Sequence, residues 1–288
     1  GRLHRREQER PLQAGHVPVL MRADQLLVER GLAASRSQAV RLIAGGMRWR
    51  DAGSGDAWRT VVKNRDEVPE SAEVELDDAA EARYVSRGGL KLEGALAATG
   101  IDVQGKRCLD VGQSTGGFTD CLLQRGAAHV VGVDVGHGQL HARIRGDARV
   151  TAVESVNART LDASAWADAS PADTHFDLIV GDLSFISLTL VLPALIPLLA
   201  PAAELLMLVK PQFELQPGQV GKGGIVRDAT LFAVVEQRLR TACAELGLRV
   251  AAWFDSPIAG GDGNREFFIH AVRANGEPGA GRAPSAEL

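Results

Sequence analysis

From residue 107 to residue 271 the chain repeats one unit: a short apolar run, then a stretch with helical spacing. The runs fall at 107–111, 130–135, 150–153, 178–182, 205–209, 249–254 and 267–271. Runs apolar on both faces suit strands buried under helices on either side, so the repeat predicts a parallel sheet. Only a loop separates the last two runs, and they are expected to form an antiparallel hairpin at one edge. The expected fold class is therefore α/β, a mainly parallel seven-stranded sheet with an antiparallel edge.

A chain of 288 residues has room for about two domains. Its 45% apolar and 24% charged content is that of an ordinary globular protein. A net charge of −4 argues against a surface coated uniformly for nucleic acid and leaves room for a local basic patch. Cys108, Cys121 and Cys243 form no Cys-x-x-Cys pair, which argues against a zinc ribbon or disulfide framework and suits a reducing cytosol. The uncharged run 183–203 contains Pro193, Pro197 and Pro201, and is expected to be a core helix with ragged ends rather than a membrane span. Residues 1–20 lack the apolar core of a signal peptide and are expected to be a disordered extension before Met21. The Gly- and Pro-rich residues 275–288 are expected to be a disordered tail. Between these lie a small domain at 21–78, a linker at 79–84 and a large domain at 85–274.

In the small domain, Leu26, Leu27 and Gly31 mark a short helix ending at glycine, and Ser35 N-caps a second helix that stops at Gly45 and Gly46. Strands are expected at 47–50, 61–62 and 73–76. Between Arg22 and Arg50 six arginines meet only Asp24 and Glu29, so this block is locally basic. The helix-turn-helix-strand order resembles the small α+β S4-like RNA-binding domain. That resemblance implies that Arg22, Arg36 and Arg41 lie against RNA phosphates as sequence-independent anchors. Where such domains often carry an Asn-Gly turn, this chain reads RWRDAGSG.

The stretch CLDVGQSTGGFTD, 108–120, reads as strand, glycine loop, helix. Its glycines are not spaced as Gly-x-Gly-x-x-Gly, which disfavours a hydride-transfer site. The chain's Gly221-Lys222 is followed by Gly223 instead of Ser or Thr, which disfavours a P-loop. What remains is Asp110-x-Gly112, the pair Gly116-Gly117 entering a helix, and Asp134 about 20 residues on, at the position of a ribose-binding carboxylate. With no pyrophosphate cradle, the natural ligand is S-adenosylmethionine; a tight turn without a ligand is the bland alternative. The cofactor-facing set is expected to be Asp110, Gly112, Ser114, Thr115, Gly116, Gly117, Phe118, Asp134, Val135, Asn157 and Asp182.

The fourth run ends in Asp182-Leu-Ser-Phe185, without the proline pair common in amine methylation, and no cysteine lies near it for carbon methylation. An oxygen acceptor is left. A ribose hydroxyl ionises far above neutrality and needs a base or cationic stabilisation. Asp182 and Lys210 end the fourth and fifth strands, at the carboxyl edge where such sheets bind ligands; the bland alternative for Lys210 is a lysine leaving the sheet for solvent.

The segments VSRGGLKL at 85–92, LDVGQSTGGFTD at 109–120, DVGHGQL at 134–140, DLSFISL at 182–188, VKPQFE at 209–214 and GNREFF at 263–268 together resemble the TlyA family. These are bacterial rRNA 2′-O-methyltransferases that join an S4-like domain to an FtsJ-like, Rossmann-like methyltransferase domain. The resemblance runs from about Met21 to Arg273. It implies a catalytic Lys-Asp-Lys-Glu tetrad at Lys91, Asp182, Lys210 and Glu266, with Lys210 taking or stabilising the 2′-hydroxyl proton and Glu266 orienting one of the lysines. Gln113 stands where the family commonly has alanine. The glycine-rich segment 220–228 is expected to be a mobile loop over the substrate, offering Lys222 and Arg227 to phosphates, and Arg87 is a further RNA candidate. The implied activity is methylation of a ribose 2′-OH in ribosomal RNA of ribosomal subunits, in the cytoplasm, with no metal and no membrane. Two other readings stand beside it: a ribosome-associated RNA-binding protein without catalysis, and a membrane-active haemolysin, a label common in this family.

Overall fold

The structure, a computed structural model, describes residues 18–77 and 83–275. Most of the expected extension (1–20), linker (79–84) and tail (275–288) lies outside the described residues. The chain divides into two compact units, Gly1–Asp78 and Ala79–Leu288.

The first unit runs β1 (Leu20–Arg22), α1 (Ala23–Glu29), α2 (Arg36–Gly46), β2 (Met47–Arg50), β3 (Arg59–Val61), β4 (Glu67–Pro69) and β5 (Glu73–Leu76). The backbone of Gly31, at φ +69°, turns the chain after α1. The Ser35 side chain accepts the Gln38 N–H at 3.2 Å and starts α2. Leu26, Leu27, Ala39, Leu42 and Ile43 from the helices pack on Met47, Val61 and Val68. β2 is the centre of the sheet β3-β2-β5, while β1 pairs with β4 in a separate ribbon. That ribbon was not expected, since each of its strands is only three residues long. Arg48 and Arg50 meet acids across the strand pair, Asp77 at 2.9 Å and Glu73 at 2.6 Å.

The second unit begins with α3 (Gly88–Thr99). It continues through β6 (Arg107–Val111), α4 (Gly117–Gln124), β7 (His129–Val133), α5 (Ala142–Arg145) and β8 (Val150–Val153). Then follow β9 (Phe176–Gly181), α6 (Leu188–Leu195), β10 (Leu199–Val209), α7 (Thr230–Glu245), β11 (Leu248–Asp255) and β12 (Phe267–Arg273). The sheet order is β11-β12-β10-β9-β6-β7-β8, and β12 alone runs against its neighbours. The hairpin of the last two strands is therefore present, but β12 inserts between β10 and β11. The run 183–203 divides: α6 takes its middle, Pro193 sits inside that helix, and β10 takes its end. Pro201 falls in the irregular stretch of β10 between Leu199 and Glu204, where it removes no regular ladder bond.

The strand order reverses between β6 and β9. This is the point where an open α/β sheet leaves a crevice outside its carboxyl ends. One packing relation beside it is specific to this sequence. A Cβ on Gly132 of β7 would lie 2.0 Å from the Gln113 amide, and that amide donates to Thr119 Oγ1 at 2.9 Å. The strand glycine makes room for the loop glutamine.

Gly132→Ala is thus expected to lower stability by about 1–3 kcal/mol through overpacking. Adding Gln113→Ala should recover most of that loss, because the two changes share one space. Denaturant midpoints of the single and double variants measure both effects.

Candidate active site

Three strand ends build the site. β6 delivers Asp110 and the glycine loop, β9 delivers Asp182, and β10 delivers Lys210. The Gly112 and Gln113 N–H groups both bond Val133 O, at 2.9 and 3.0 Å, which folds the loop back over β7. Gly112 has φ +84°, and a Cβ there would meet Asp182 O at 2.4 Å. At Gly117 a Cβ would meet Ser86 Oγ at 2.1 Å, and at Gly116 the Leu140 side chain at 2.8 Å. What approaches these glycines most closely is the chain itself. Segment 85–88 is held in that position by the Val85 N–H bond to Asp120 Oδ2, 2.9 Å.

Two cavities meet at Gly112, Ser114, Asp182 and Ser184. The larger, about 620 Å³, is lined by Asp134, Val135, Asn157 and Phe185 among others. The smaller, about 160 Å³, is lined by Ser86, Thr115, Gly117, Phe118 and Lys210 among others. Every expected cofactor residue except Asp110 and Gly116 lines one of them. Asp134 accepts Ser114 N–H at 2.7 Å and Gly136 N–H at 2.8 Å, one on each oxygen. Each oxygen keeps a lone pair that can face the cavity. Asp110 is fully buried; its Oδ2 accepts from Thr119 at 2.7 Å, and its Oδ1 has no hydrogen-bond partner among the described residues. Burial pushes its carboxyl up to about 7.

The four tetrad residues form two ion pairs. Lys210 Nζ lies 2.6 Å from Asp182 Oδ1 and donates to Ser184 Oγ at 3.0 Å. Lys91 Nζ lies 2.6 Å from Glu266 Oε2, with side chains only 9% and 3% exposed. Glu266 therefore holds Lys91 and not Lys210. Burial is the main influence on its carboxyl and raises it, against the pull of Lys91. Lys91 and Glu266 sit on α3 and just before β12, so this pair ties two distant segments together.

The RNA candidates are spread over both units. In the first, Arg22 forks onto Asp24 at 3.0 and 2.8 Å, and Arg36 lies 3.6 Å from the same carboxylate. Arg41 is on α2. In the second, Arg87 precedes α3, and Lys222 and Arg227 are exposed. Within the segment 220–228, Gly221 N–H bonds Ile225 O at 2.8 Å, and the buried Asn264 accepts Val226 N–H at 3.0 Å.

Three features were not expected from the sequence. Ser184 contacts Lys210. Phe185, 89% exposed at φ +63°, stands at the mouth of the larger cavity. Lys63 and Arg65 join Arg22 and Asn64 around a cavity of about 390 Å³ in the first unit. The isolated aromatic of DLSF was a usable signal for Phe185. Lys63 and Arg65 lie beyond the basic segment 22–50, in a loop whose neighbours only the fold reveals.

Among the described residues no helix is long and apolar enough to cross a membrane. The FtsJ-like methyltransferase family profile matches residues 84–273. The 16S/23S rRNA (cytidine-2′-O)-methyltransferase TlyA of Mycobacterium tuberculosis is 45% identical over 248 residues, 86% of this chain and 88% of its own. Hemolysin A of Brachyspira hyodysenteriae is 36% identical over 252 residues, 88% of this chain and 100% of its own. A solved hemolysin-named protein of Streptococcus thermophilus superposes with a TM-score of 0.67 at 37% identity, covering 90% of each chain. The chain belongs to the TlyA family of FtsJ-like methyltransferases.

Proposed function

We propose that this protein transfers a methyl group from S-adenosylmethionine to a cytidine 2′-hydroxyl of ribosomal RNA, working on ribosomal subunits in the cytoplasm. The observation that carries the reading is the Lys210–Asp182 pair, 2.6 Å apart, where the two cavities meet. S-adenosylmethionine supplies an electrophilic methyl group on sulfonium. A cavity of about 620 Å³ has the size of a small-molecule site, and its walls offer the ribose acid Asp134 and the apolar Val135. The partnerless Asp110 Oδ1 beneath the glycine loop fits the charge of a cationic ligand.

Lys210 has three N–H directions. Ser184 accepts one, the Asp182 carboxylate holds the ammonium as an ion pair, and a remaining N–H can meet the acceptor oxygen. There the ammonium stabilises the charge that develops as the hydroxyl gives up its proton, and the adjacent carboxylate helps to take that proton up. The Lys91–Glu266 pair holds α3 and the loop before β12 in register behind this site. Phe185, packed against Phe213 and otherwise exposed, offers its open face to the base of the acceptor nucleotide for stacking. The first unit serves as an S4-like RNA anchor, with Arg22, Arg36, Lys63 and Arg65 against phosphates.

Labelled methyl transfer to unmodified ribosomal subunits tests the assignment. Lys210→Ala is expected to lose about 10²–10⁴-fold in kcat, the range of a general acid–base or charge-stabilising group. Equal label from wild type and variant removes Lys210 from the mechanism; no label from wild type favours a binding role without catalysis.

Cofactor binding is expected to strengthen as the pH rises from about 6 to 8, because a cation held in the cavity near the buried Asp110 lowers a pKa that burial has raised to about 7, and a proton is released. Calorimetry in two buffers of different ionisation enthalpy reads that proton, and Asp110→Asn should abolish it.

In the first unit, Lys63→Ala and Arg65→Ala should each weaken rRNA binding and reduce the log–log salt slope by about 1, leaving cofactor affinity unchanged. An unchanged slope would place both residues away from phosphate.

A further inference from the structure

Lys210 and Asp182 leave different strands, and sheet register alone does not set the distance between them. The last β9–β10 pairing is Gly181 with Met207, so Lys210 is three residues beyond it. Something past the sheet must hold the two loops together, and Glu214 is placed to do so. Its side chain is buried, and both carboxylate oxygens reach across to the loop that carries Asp182. Oε1 accepts the Leu188 N–H at 2.8 Å, and Oε2 accepts from Ser187 Oγ at 2.5 Å. Ser187 is the N-cap of α6, accepting the Thr189 N–H at 3.2 Å, so the carboxylate sits at the positive end of that helix.

On its own side Glu214 is tied equally closely to Lys210. The Phe213 N–H bonds Lys210 O at 3.0 Å and the Glu214 N–H bonds Pro211 O at 3.0 Å, closing a tight turn directly after the lysine. Arg238 of α7 donates to the Glu214 carbonyl. A second tie runs parallel to the first: the rings of Phe185 and Phe213 lie 4.9 Å apart. Glu214 lines neither cavity, so its reach is to the loops and not to the ligands. Burial is the main influence on its carboxyl and raises it, which opposes the anion; the two donors and the helix end act the other way.

We propose that Glu214 is a positioning residue for methyl transfer, clamping loop 182–187 to loop 210–214 and thereby setting the Asp182–Lys210 geometry. The proposal rests on the assignment of Asp182 and Lys210 as the reacting pair. A carboxylate is suited to the task because it accepts two bonds at once from adjacent donors. Alanine removes both. Glutamine keeps an amide oxygen for the Leu188 N–H and an amide nitrogen that the Ser187 hydroxyl can accept from.

The test measures kcat, KM for unmodified ribosomal subunits, S-adenosylmethionine Kd and stoichiometry, and thermal midpoint. The proteins are wild type, Glu214→Ala, Glu214→Gln, Ser187→Ala and Lys210→Ala. A misplacement near 1 Å costs about 10²-fold in rate. Glu214→Ala is therefore expected to lose about 10–100-fold in kcat while its cofactor Kd stays within about threefold of wild type, with one cofactor bound per chain. Glu214→Gln should recover most of the rate. Should Glu214→Ala fail to fold, Ser187→Ala carries the test, with a smaller loss in kcat and the same unchanged Kd. The clamp is overturned if Glu214→Ala, or Ser187→Ala in its place, keeps the wild-type kcat, or if kcat and cofactor binding fall together with the melting point. Full activity in Lys210→Ala overturns instead the assignment on which the clamp rests.

Discussion

The main-chain bond from Asp182 N–H to Val111 O, 3.1 Å, is the last rung between β6 and β9, and the site depends on it. Beyond it the chain turns one way into the glycine loop and the other way toward α6. Had the strand order not reversed here, both connections would leave on the same side and the crevice would close. The bond also fixes how near the two turns come, so near that Gly112 has no space for a Cβ against Asp182 O. A substitution at Gly112 therefore acts first on the joint between the strands and only then on any ligand.

The two Lys–carboxylate pairs have nearly the same length and different surroundings. Lys91–Glu266 is withdrawn from water, where removing one partner strands the other at a cost of about 3–5 kcal/mol. Lys210–Asp182 opens onto the smaller cavity, with side chains 14% and 25% exposed. A pair in the first environment holds segments in place. A pair in the second can exchange partners with a ligand. The geometry thus separates the four residues into a pair withdrawn from water and a pair open to a cavity, a division that residue types alone do not contain.

Much of the fold was legible because its strands are buried on both faces. The apolar runs at 107–111 and 150–153 match β6 and β8 at both ends, and the others match to within a few residues, except that β10 starts earlier, at Leu199. That start was hidden because Leu199 to Ala203 continues the apolar composition of α6, and hydrophobicity alone does not separate a helix end from a strand beginning. The candidate site was legible at the carboxyl ends of strands, where Asp110 stands near the end of β6 and Asp182 and Lys210 directly follow β9 and β10. It was not legible where the partner comes from far along the chain. No local pattern announces that Glu266 meets Lys91, or that Glu214 reaches Ser187. The glycine loop adds a second demand to the one expected of it: Gly112 and Gly117 line the cavities, and their missing side chains also leave room for Asp182 and Ser86.

Charge in the first unit follows the same logic of placement. The sequence shows an arginine-rich segment from 22 to 50, but β5 brings Glu73, Glu75 and Asp77 alongside Arg48 and Arg50. Those two arginines are locally balanced, and their stretch contributes little net field. Asp24 acts differently: one buried carboxylate gathers Arg22 and Arg36, holding two guanidinium groups at a fixed spacing while leaving them largely in solvent. Lys63 and Arg65 arrive from the β3–β4 loop beside Arg22. Positive charge is thus concentrated by pairing acids with some arginines and by using one acid to aim others. A chain of net charge −4 can in this way present a local cationic face without being basic as a whole.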